Sequence, residues 1–372
     1  MLRHVTRRPI RVLMTVDAVG GVWRYAMDVA RQMAGLDATM LLVGLGPPPD
    51  PAQRAEAGLL PGAELRWIDA PLDWMATDVT ELDVASRALE ALADAWRADL
   101  LHLNLPSQAA GVSDAHSVIA VSHSCVPTWW HAVRGTPLPA AWDWHVDRNR
   151  AGLARADAVI VPSASHGESV ARSYGPLPRL HVVHNGSDVA ARTGERADCV
   201  FAVARWWDDA KGGATLDAAA SLTAIPVRMA GAAAGPNRTA MHLDHAEALG
   251  PLPHCEVIAQ MRRAAIFAAP SRYEPFGLAV VEAARCGAAL VLADIPTFRE
   301  LWSDAAVFVP AEAPLAWARA FDSLAADPAL RGTLAVRARQ RAAEYTLDRQ
   351  AESLHRIYGE TLARAGAGVA VH

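Results

Sequence analysis

Cysteine is scarce: Cys125, Cys199, Cys255 and Cys286 stand far apart, with no C-x-x-C pair. That spacing argues against a disulfide framework or a thiolate zinc site and suits free thiols in a reducing compartment. Long apolar runs are missing too, since no window reaches the roughly 18 to 20 apolar residues that a membrane span requires. The apolar part of RPIRVLMTVDAVGG is too short for a signal-peptide core and leads straight into a glycine turn. A cytoplasmic location is therefore expected. Charge excess is small, at a formal −5, which excludes a broad surface for nucleic acid or anionic membrane. One basic cluster, Arg3, Arg7, Arg8 and Arg11, reads as a solvated tail, although it leaves peripheral membrane contact open. Low-complexity segments and repeats of solenoid length are also missing.

What is present is core material. Hydrophobic residues make up 52% of the 372 positions and charged residues 20%, enough for two packed domains. Strand-length apolar runs alternate with helix-period segments: IRVLMTV (10–16), TMLLVGL (39–45), ELRWIDA (64–70), LLHLNL (100–105), VIAVSH (118–123), AVIVPS (158–163) and LHVVHN (180–185). After a polar stretch at 182–198 come CVFAVAR (199–205), IPVRMAG (225–231), AAIFAAP (264–270), ALVLAD (289–294) and AVFVP (306–310). Near-continuous Val, Ile, Leu and Ala predict parallel strands buried on both faces. Between them, Val22, Ala26, Val29, Ala30 and Met33 share a helix face, Ser163 or Ser165 caps a second helix that stops at Gly175, and Thr80 caps a third. The fold class expected is α/β, with two doubly wound, Rossmann-like domains facing across a cleft. Boundaries fall at 1–188 and 189–349, and a C-terminal helix over about 350–372 can return to the first domain.

The segment SRYEPFGLAVVEAARCG (271–287) places two glutamates, with seven residues between them, in an otherwise apolar stretch. A strand ends at Pro270 and a helix starts near Phe276 or Gly277, so unpaired N–H groups at the helix start offer a phosphate site. Gly277 permits close backbone approach. Glu282 lies roughly 7–8 Å further along the helix at 1.5 Å per residue, about the distance from a diphosphate to its ribose. Glu274 then faces the opposite end, where a transferred group would sit. The plainer alternative is a helix pair between Glu282 and Arg285, with Glu274 exposed on a turn. Val280, Val281, Ala283 and Ala284 weigh against it, because a carboxylate among them needs a specific partner. Arg205 and Lys211, on the loop after CVFAVAR, suit a leaving diphosphate, although on their own they read as solvated loop charges.

EPFGLAVVE, VARWWDDAKGG, VVHNGSD and the GGVWRYA start together resemble the retaining GT-B glycosyltransferases of family 4. The resemblance implies Glu274 at the donor sugar, Glu282 on the ribose, and Arg205 and Lys211 on the diphosphate. It also implies that the backbone of Phe276, Gly277 and Leu278 holds phosphate and sugar. Gly20 and Gly21 would approach the donor phosphate from the other domain; otherwise they form an ordinary tight turn. His123 matches a cleft histidine near the transferred sugar, with a structural role as the rival. The expected activity is hexosyl transfer from a nucleotide-diphosphate sugar to a hydroxyl of a glycan, lipid or small-molecule acceptor, with retention.

Other signals are weaker. The glycine pair is not G-x-G-x-x-G, so no dinucleotide fingerprint is supported. His123 and Cys125 share a strand end without any assured contact. Trp129 and Trp130, in a stretch that also holds Trp142 and Trp144, could stack an acceptor or simply pack. No metal or other cofactor is expected: His242, His245, His254 and Cys255 lack a completing ligand set, and Asp208–Asp209 reads as loop solvation. Where many family members carry Gly-Gly, this chain has IPTFREL, and LGPLP (249–253) falls where the family reads the base. Two rival functions remain: an epimerase or hydrolase of nucleotide sugars, and a non-catalytic nucleotide-sugar or glycan-binding module.

Overall fold

The computed structural model describes residues 8–191, 196–235 and 240–369. Arg3, Arg7, part of the junction stretch (192–195) and the last three residues lie outside them. The first sheet contains β1 (Ile10–Val16), β2 (Ala38–Gly44), β3 (Ala63–Trp67), β4 (Leu100–Leu103), β5 (Ser117–Val121), β6 (Ala158–Val161) and β7 (Leu180–Val182). Their spatial order is β3-β2-β1-β4-β5-β6-β7, parallel throughout. The connecting helices are α1 (Gly21–Met33), α2 (Pro51–Gly58), α3 (Val79–Trp96), α4 (Pro106–Ala109), α5 (Val126–Arg134), α6 (Asp143–Arg155) and α7 (Ala164–Tyr174).

The second sheet contains β8 (Ala197–Val203), β9 (Val227–Ala230), β10 (Glu247–Gly250), β11 (Ala264–Ala269), β12 (Ala289–Ala293) and β13 (Ala306–Val309). Its order is β10-β9-β8-β11-β12-β13, again parallel. Around it lie α8 (Gly213–Ala220), α9 (His254–Arg263), α10 (Leu278–Arg285), α11 (Pro296–Trp302), α12 (Pro314–Ala326) and α13 (Pro328–Ala342), followed by α14 (Leu347–Val369).

Burial explains the apolar runs. In β1, Val12 and Met14 face one core with α1, while Leu13 faces another with Leu89 and Leu153, so successive residues must all be apolar. A single core built on Phe201, Phe267, Trp302 and Trp317 fills the second sheet. The helix α14 leaves this half and buries Leu354, Ile357 and Tyr358 against the first sheet's core beside α1. The two chain crossings run close together: Ser187 N–H donates to Tyr345 O at 3.1 Å, and Gly186 N–H to Gln350 Oε1 at 2.9 Å.

Several expectations need correction. The edge strand β10 escapes the sequence reading because its residues are exposed or half-buried and it begins with Glu247. Asp78, not Thr80, caps α3: its extended backbone lets Oδ1 accept from the Thr80 amide at 2.8 Å. Ser163 does cap α7, accepting from His166 N–H at 3.1 Å. Arg8 and Arg11 are not a loose tail. Arg8 pairs with Asp99, and Arg11 lies over the Trp96 ring at 4.2 Å while donating to the Trp96 carbonyl.

Candidate active site

The C-terminal strand ends of both sheets carry the polar residues singled out above. In the second half, the loop after β8 folds into a 3-10 turn (Asp209–Lys211) and then reverses at Gly212, φ +66°. A side chain at Gly212 would collide with the Pro270 carbonyl, 2.3 Å from an ideal Cβ, so only glycine allows this approach. Arg272 N–H donates to Ala210 O at 2.7 Å, which binds the two loops together. As a result, Lys211 Nζ meets Glu274 Oε2 at 2.7 Å, both side chains largely buried. A short ion pair in this setting is charge-assisted and directional.

Gly277, φ +90°, is the N-cap of α10, so the helix starts at Leu278 with no side chain covering its first amides. Phe276 is buried beneath it and packs edge-on to Tyr345, while Leu278 is half-buried. Glu282 lies on α10 with 10% of its side chain exposed. Its partner is not Arg285, which donates instead to the Val189 and Ala342 carbonyls. Glu282 Oε1 accepts from His254 Nε2–H at 2.8 Å, a contact the sequence reading missed. The hydrogen bond and charge of Glu282 outweigh burial and push the His254 pKa up. An acid in an apolar helix, followed through space to a histidine on the neighbouring helix, is visible only once α9 and α10 pack together.

Across the cleft, Gly20 abuts Arg205: an ideal Cβ at Gly20 would lie 2.6 Å from Arg205 Nη1. Gly21 has open space on the same measure. The Arg205 guanidinium also lies 5.4 Å from the centroid of the Trp207 ring.

His123 follows β5. Its Nε2 lies 2.9 Å from Asn104 Oδ1, and a carbonyl oxygen only accepts, so the ring proton sits on Nε2 and Nδ1 is left as an acceptor. Burial, with help from His102 and His166, pushes its pKa down to about 3, so the ring is neutral near pH 7. Tyr25 packs edge-on to His123 with ring centroids at 4.5 Å. Behind it, Tyr25 Oη contacts His102 Nε2 at 3.2 Å, and His102 Nδ1 contacts Tyr358 Oη of α14 at 2.7 Å. Cys125 does not join His123: its sulfur contacts Thr128 Oγ1 at 3.0 Å, and burial pushes the thiol pKa up.

Asp208 and Asp209 are not idle loop charges. Trp129 Nε1–H of α5 donates to Asp208 Oδ1 at 2.9 Å, and Arg134 pairs with Asp209 at 2.7 Å. The Arg134 guanidinium lies 5.0 Å from the Trp129 ring centroid and 6.0 Å from that of Trp130. Trp130 Nε1–H donates to Thr136 at 3.2 Å. Thr128 Oγ1 adds a contact to Tyr273 Oη at 2.7 Å, next to Glu274. Helix α5 therefore clasps the loops that hold Lys211 and Glu274. Among the described residues, no group of three or more His, Cys, Asp or Glu side chains is placed to hold a metal ion. No described helix is long and apolar enough to cross a membrane.

Residues 19–191 match the family described as Glycosyltransferase Family 4, and residues 238–343 match Glycosyl transferases group 1. A D-inositol 3-phosphate glycosyltransferase of Salinispora arenicola is 35% identical over 125 residues, which cover 33% of this chain and only 28% of that protein. The namesake enzyme of Streptomyces bingchenggensis aligns along 97% of this chain and 91% of its own length at 25% identity. Among solved structures, sucrose-phosphate synthase from Thermosynechococcus elongatus superposes with a TM-score of 0.79 at 18% identity, covering 96% of this chain and 100% of that one. Anabaena Alr3699/HepE in complex with UDP-glucose gives 0.72 at 17% identity, covering 95% of this chain and 100% of that chain.

Proposed function

Because the chain belongs to the family 4-like glycosyltransferases of GT-B fold, we propose that it moves a hexose from a nucleotide-diphosphate sugar to an acceptor hydroxyl, with retention of configuration and without a metal. The observation that carries this reading is the meeting of Lys211 and Glu274 beside the uncapped start of α10, with Arg205 across from Gly20. Two cations and a row of free amides suit the charge that develops on a departing diphosphate. In this reading, Lys211 and Arg205 bind the diphosphate, while the amides from Phe276 to Leu278 hold phosphate and sugar. Glu274, oriented by Lys211, faces the sugar hydroxyls, and Glu282 accepts from the ribose. Neutral His123 offers Nδ1 to a sugar hydroxyl. The acceptor hydroxyl attacks from the face the diphosphate leaves, and the leaving phosphate takes its proton.

Structural neighbours crystallised with UDP and UDP-glucose make a UDP-sugar the first donor to try, and the names of the relatives make D-inositol 3-phosphate the first acceptor. The test is a thermal-shift panel with UDP, GDP, ADP and dTDP, each with and without EDTA. A ligand at 100-fold excess over Kd adds about 2.7 kcal/mol to native-state stability. One diphosphate raising Tm regardless of EDTA identifies the donor series for a transfer assay. No shift with any of them overturns the donor site.

A further inference from the structure

We infer that His254 is a positioning residue for the nucleotide's ribose: its ring N–H holds one oxygen of Glu282, which leaves the other oxygen aimed at the ribose hydroxyls. The inference rests on the donor site proposed above and adds a residue to it. Glu282 sits in α10 between Val281 and Ala283, both fully buried, and its own residue is 8% exposed. A carboxyl group there needs directed hydrogen-bond partners. Its Oε1 accepts from His254 Nε2–H at 2.8 Å. A carboxylate offers about four acceptor positions, so one bond to His254 leaves capacity for both ribose hydroxyls.

The placement of His254 is not explained by helix stability. It is the first residue of α9, after Pro253, and no side chain caps that helix. A histidine at a helix N-terminus gains nothing from the helix dipole, and any charge on it works against that dipole, where an acid would help. Nor does packing demand it, because 45% of the His254 side chain is exposed. What the position does provide is reach. His254 directly follows the GPLP turn leaving edge strand β10, and α9 packs against α10. One imidazole thereby connects the turn beside the base region to the carboxylate proposed for the ribose. Besides Glu282, the charges felt by His254 are those of Arg24 and Asp28 on α1, across the cleft.

The test is calorimetric binding of UDP and 2′-deoxy-UDP to wild type, His254→Ala and His254→Gln, with the matching ADP and GDP pairs if UDP does not bind. Wild type should prefer the ribonucleotide. Loss of a hydrogen bond to a charged group should weaken ribonucleotide binding by about tenfold in His254→Ala. The deoxy form should lose much less, so the preference collapses. Glutamine, whose amide N–H can reach the same oxygen, should restore both affinity and preference. Equal weakening of ribo and deoxy forms, or no change in either, would overturn the inference while leaving the donor site intact. No binding of any diphosphate to wild type would instead sink the donor site, and this inference with it. Melting of each variant without ligand checks that the exposed substitution leaves the fold unchanged.

Discussion

Lys211 and Glu274 come from loops 63 positions apart and meet at 2.7 Å. Lys211 is also the only lysine among the 35 Lys and Arg residues of the chain. Arginine serves every other cationic position, so the compact ammonium stands where a point charge must fit between a carboxylate and the proposed phosphates. A planar guanidinium has different hydrogen-bond geometry and would not substitute neutrally.

Replacing Glu274 with alanine should lower kcat by on the order of 100- to 1,000-fold, the usual loss on removing one preorganised electrostatic group. Diphosphate affinity should change only a few-fold. Lys211→Ala should weaken both. Since Lys211 supplies the one lysine amine, an amine-selective reagent should add a single increment to the intact mass beyond that at the chain's own N-terminus. UDP, or whichever diphosphate binds, should suppress that increment. Full kcat in Glu274→Ala, or labelling indifferent to the diphosphate, would contradict the assignment.

Gly20 and Gly21 should separate cleanly. The Gly20 backbone has φ −158°, not the positive φ that favours glycine, so alanine there is not barred by a left-handed conformation. Its Cβ would nevertheless press on Arg205 Nη1. Donor KM should rise several-fold as the guanidinium moves aside, with stability changing by no more than about 0.5 kcal/mol. Gly21→Ala has room, since nothing lies within 4 Å of its ideal Cβ. A rise in diphosphate Kd for that variant would show that the ligand itself approaches its backbone. Donor KM unchanged in Gly20→Ala would remove Gly20 from the site.

Sheet membership was legible in the sequence wherever both faces of a strand are buried, as in β1, where Val12, Leu13 and Met14 must all be apolar. It failed at β10, whose exposed edge leaves no such pattern. The acids of α10 were legible as anomalies, because a carboxylate among valines and alanines demands a partner. The partner's identity was not, since His254 reaches Glu282 only through the packing of α9 on α10. The Asp208–Trp129 contact was hidden for the same reason: it joins α5 of the first half to a loop of the second, and no local spacing encodes it. The single lysine was a further compositional signal, visible on a count of the chain.

Trp129→Phe keeps the aromatic ring and removes the N–H that reaches Asp208. If α5 clasps the 205–212 loop, that loop should loosen, and donor KM should rise by about fivefold to tenfold, as for a hydrogen bond to a charged group. Asp208→Asn should have the smaller effect, because the amide oxygen still accepts. Trp130→Ala should leave donor KM alone and shift acceptor KM if its ring faces the acceptor. An unchanged donor KM in Trp129→Phe would mean that the clasp does not bear on the site.

Buried histidines give the chain a sensitivity to mild acid. Burial depresses His102 and His123 to about 3 and His166 to about 4, against an unperturbed 6.5. Between those values the unfolded chain binds protons that the native state refuses, so stability is complete above 6.5 and is lost as pH falls. The slope is about 1.4 kcal/mol per pH unit for each proton concerned. Asp28, raised by burial to about 6, acts in the opposite sense, as do Asp17, raised by burial, and His254, raised by Glu282, while His181, lowered by burial, joins the three rings. Tm should therefore begin to fall near pH 6.5, above the range where carboxylates titrate. His166→Gln should flatten the decline; an equal slope in that variant would show that these rings are not its source.

Glu300 places a second, lower transition. It extends from α11 to the start of α7, accepting from the Ala164 amide at 2.9 Å, the Ser165 amide at 2.7 Å and Ser165 Oγ at 2.6 Å. A carboxylate from the second half thus serves the amides and positive dipole end of a helix in the first. Burial pushes its pKa up, but His184, 3.9 Å away, and the bonds from Ser165 and Ala164 outweigh that and bring it down to about 2, from 4.5. A depressed carboxyl contributes stability that is fully present above its unfolded pKa and is lost as pH falls from 4.5 toward 2. Since the side chain is 24% exposed, the contribution is on the order of 2 kcal/mol, below what the full shift would give. Glu300→Gln keeps the shape but cannot ionise, so it should cost that stability at pH 7 and cost nothing further near pH 2. Urea melts of both proteins at pH 7, 4 and 2.5 should converge as the pH drops. Parallel curves with a constant offset would mean that the two halves are held together by packing at α7, and that the charge on Glu300 contributes little.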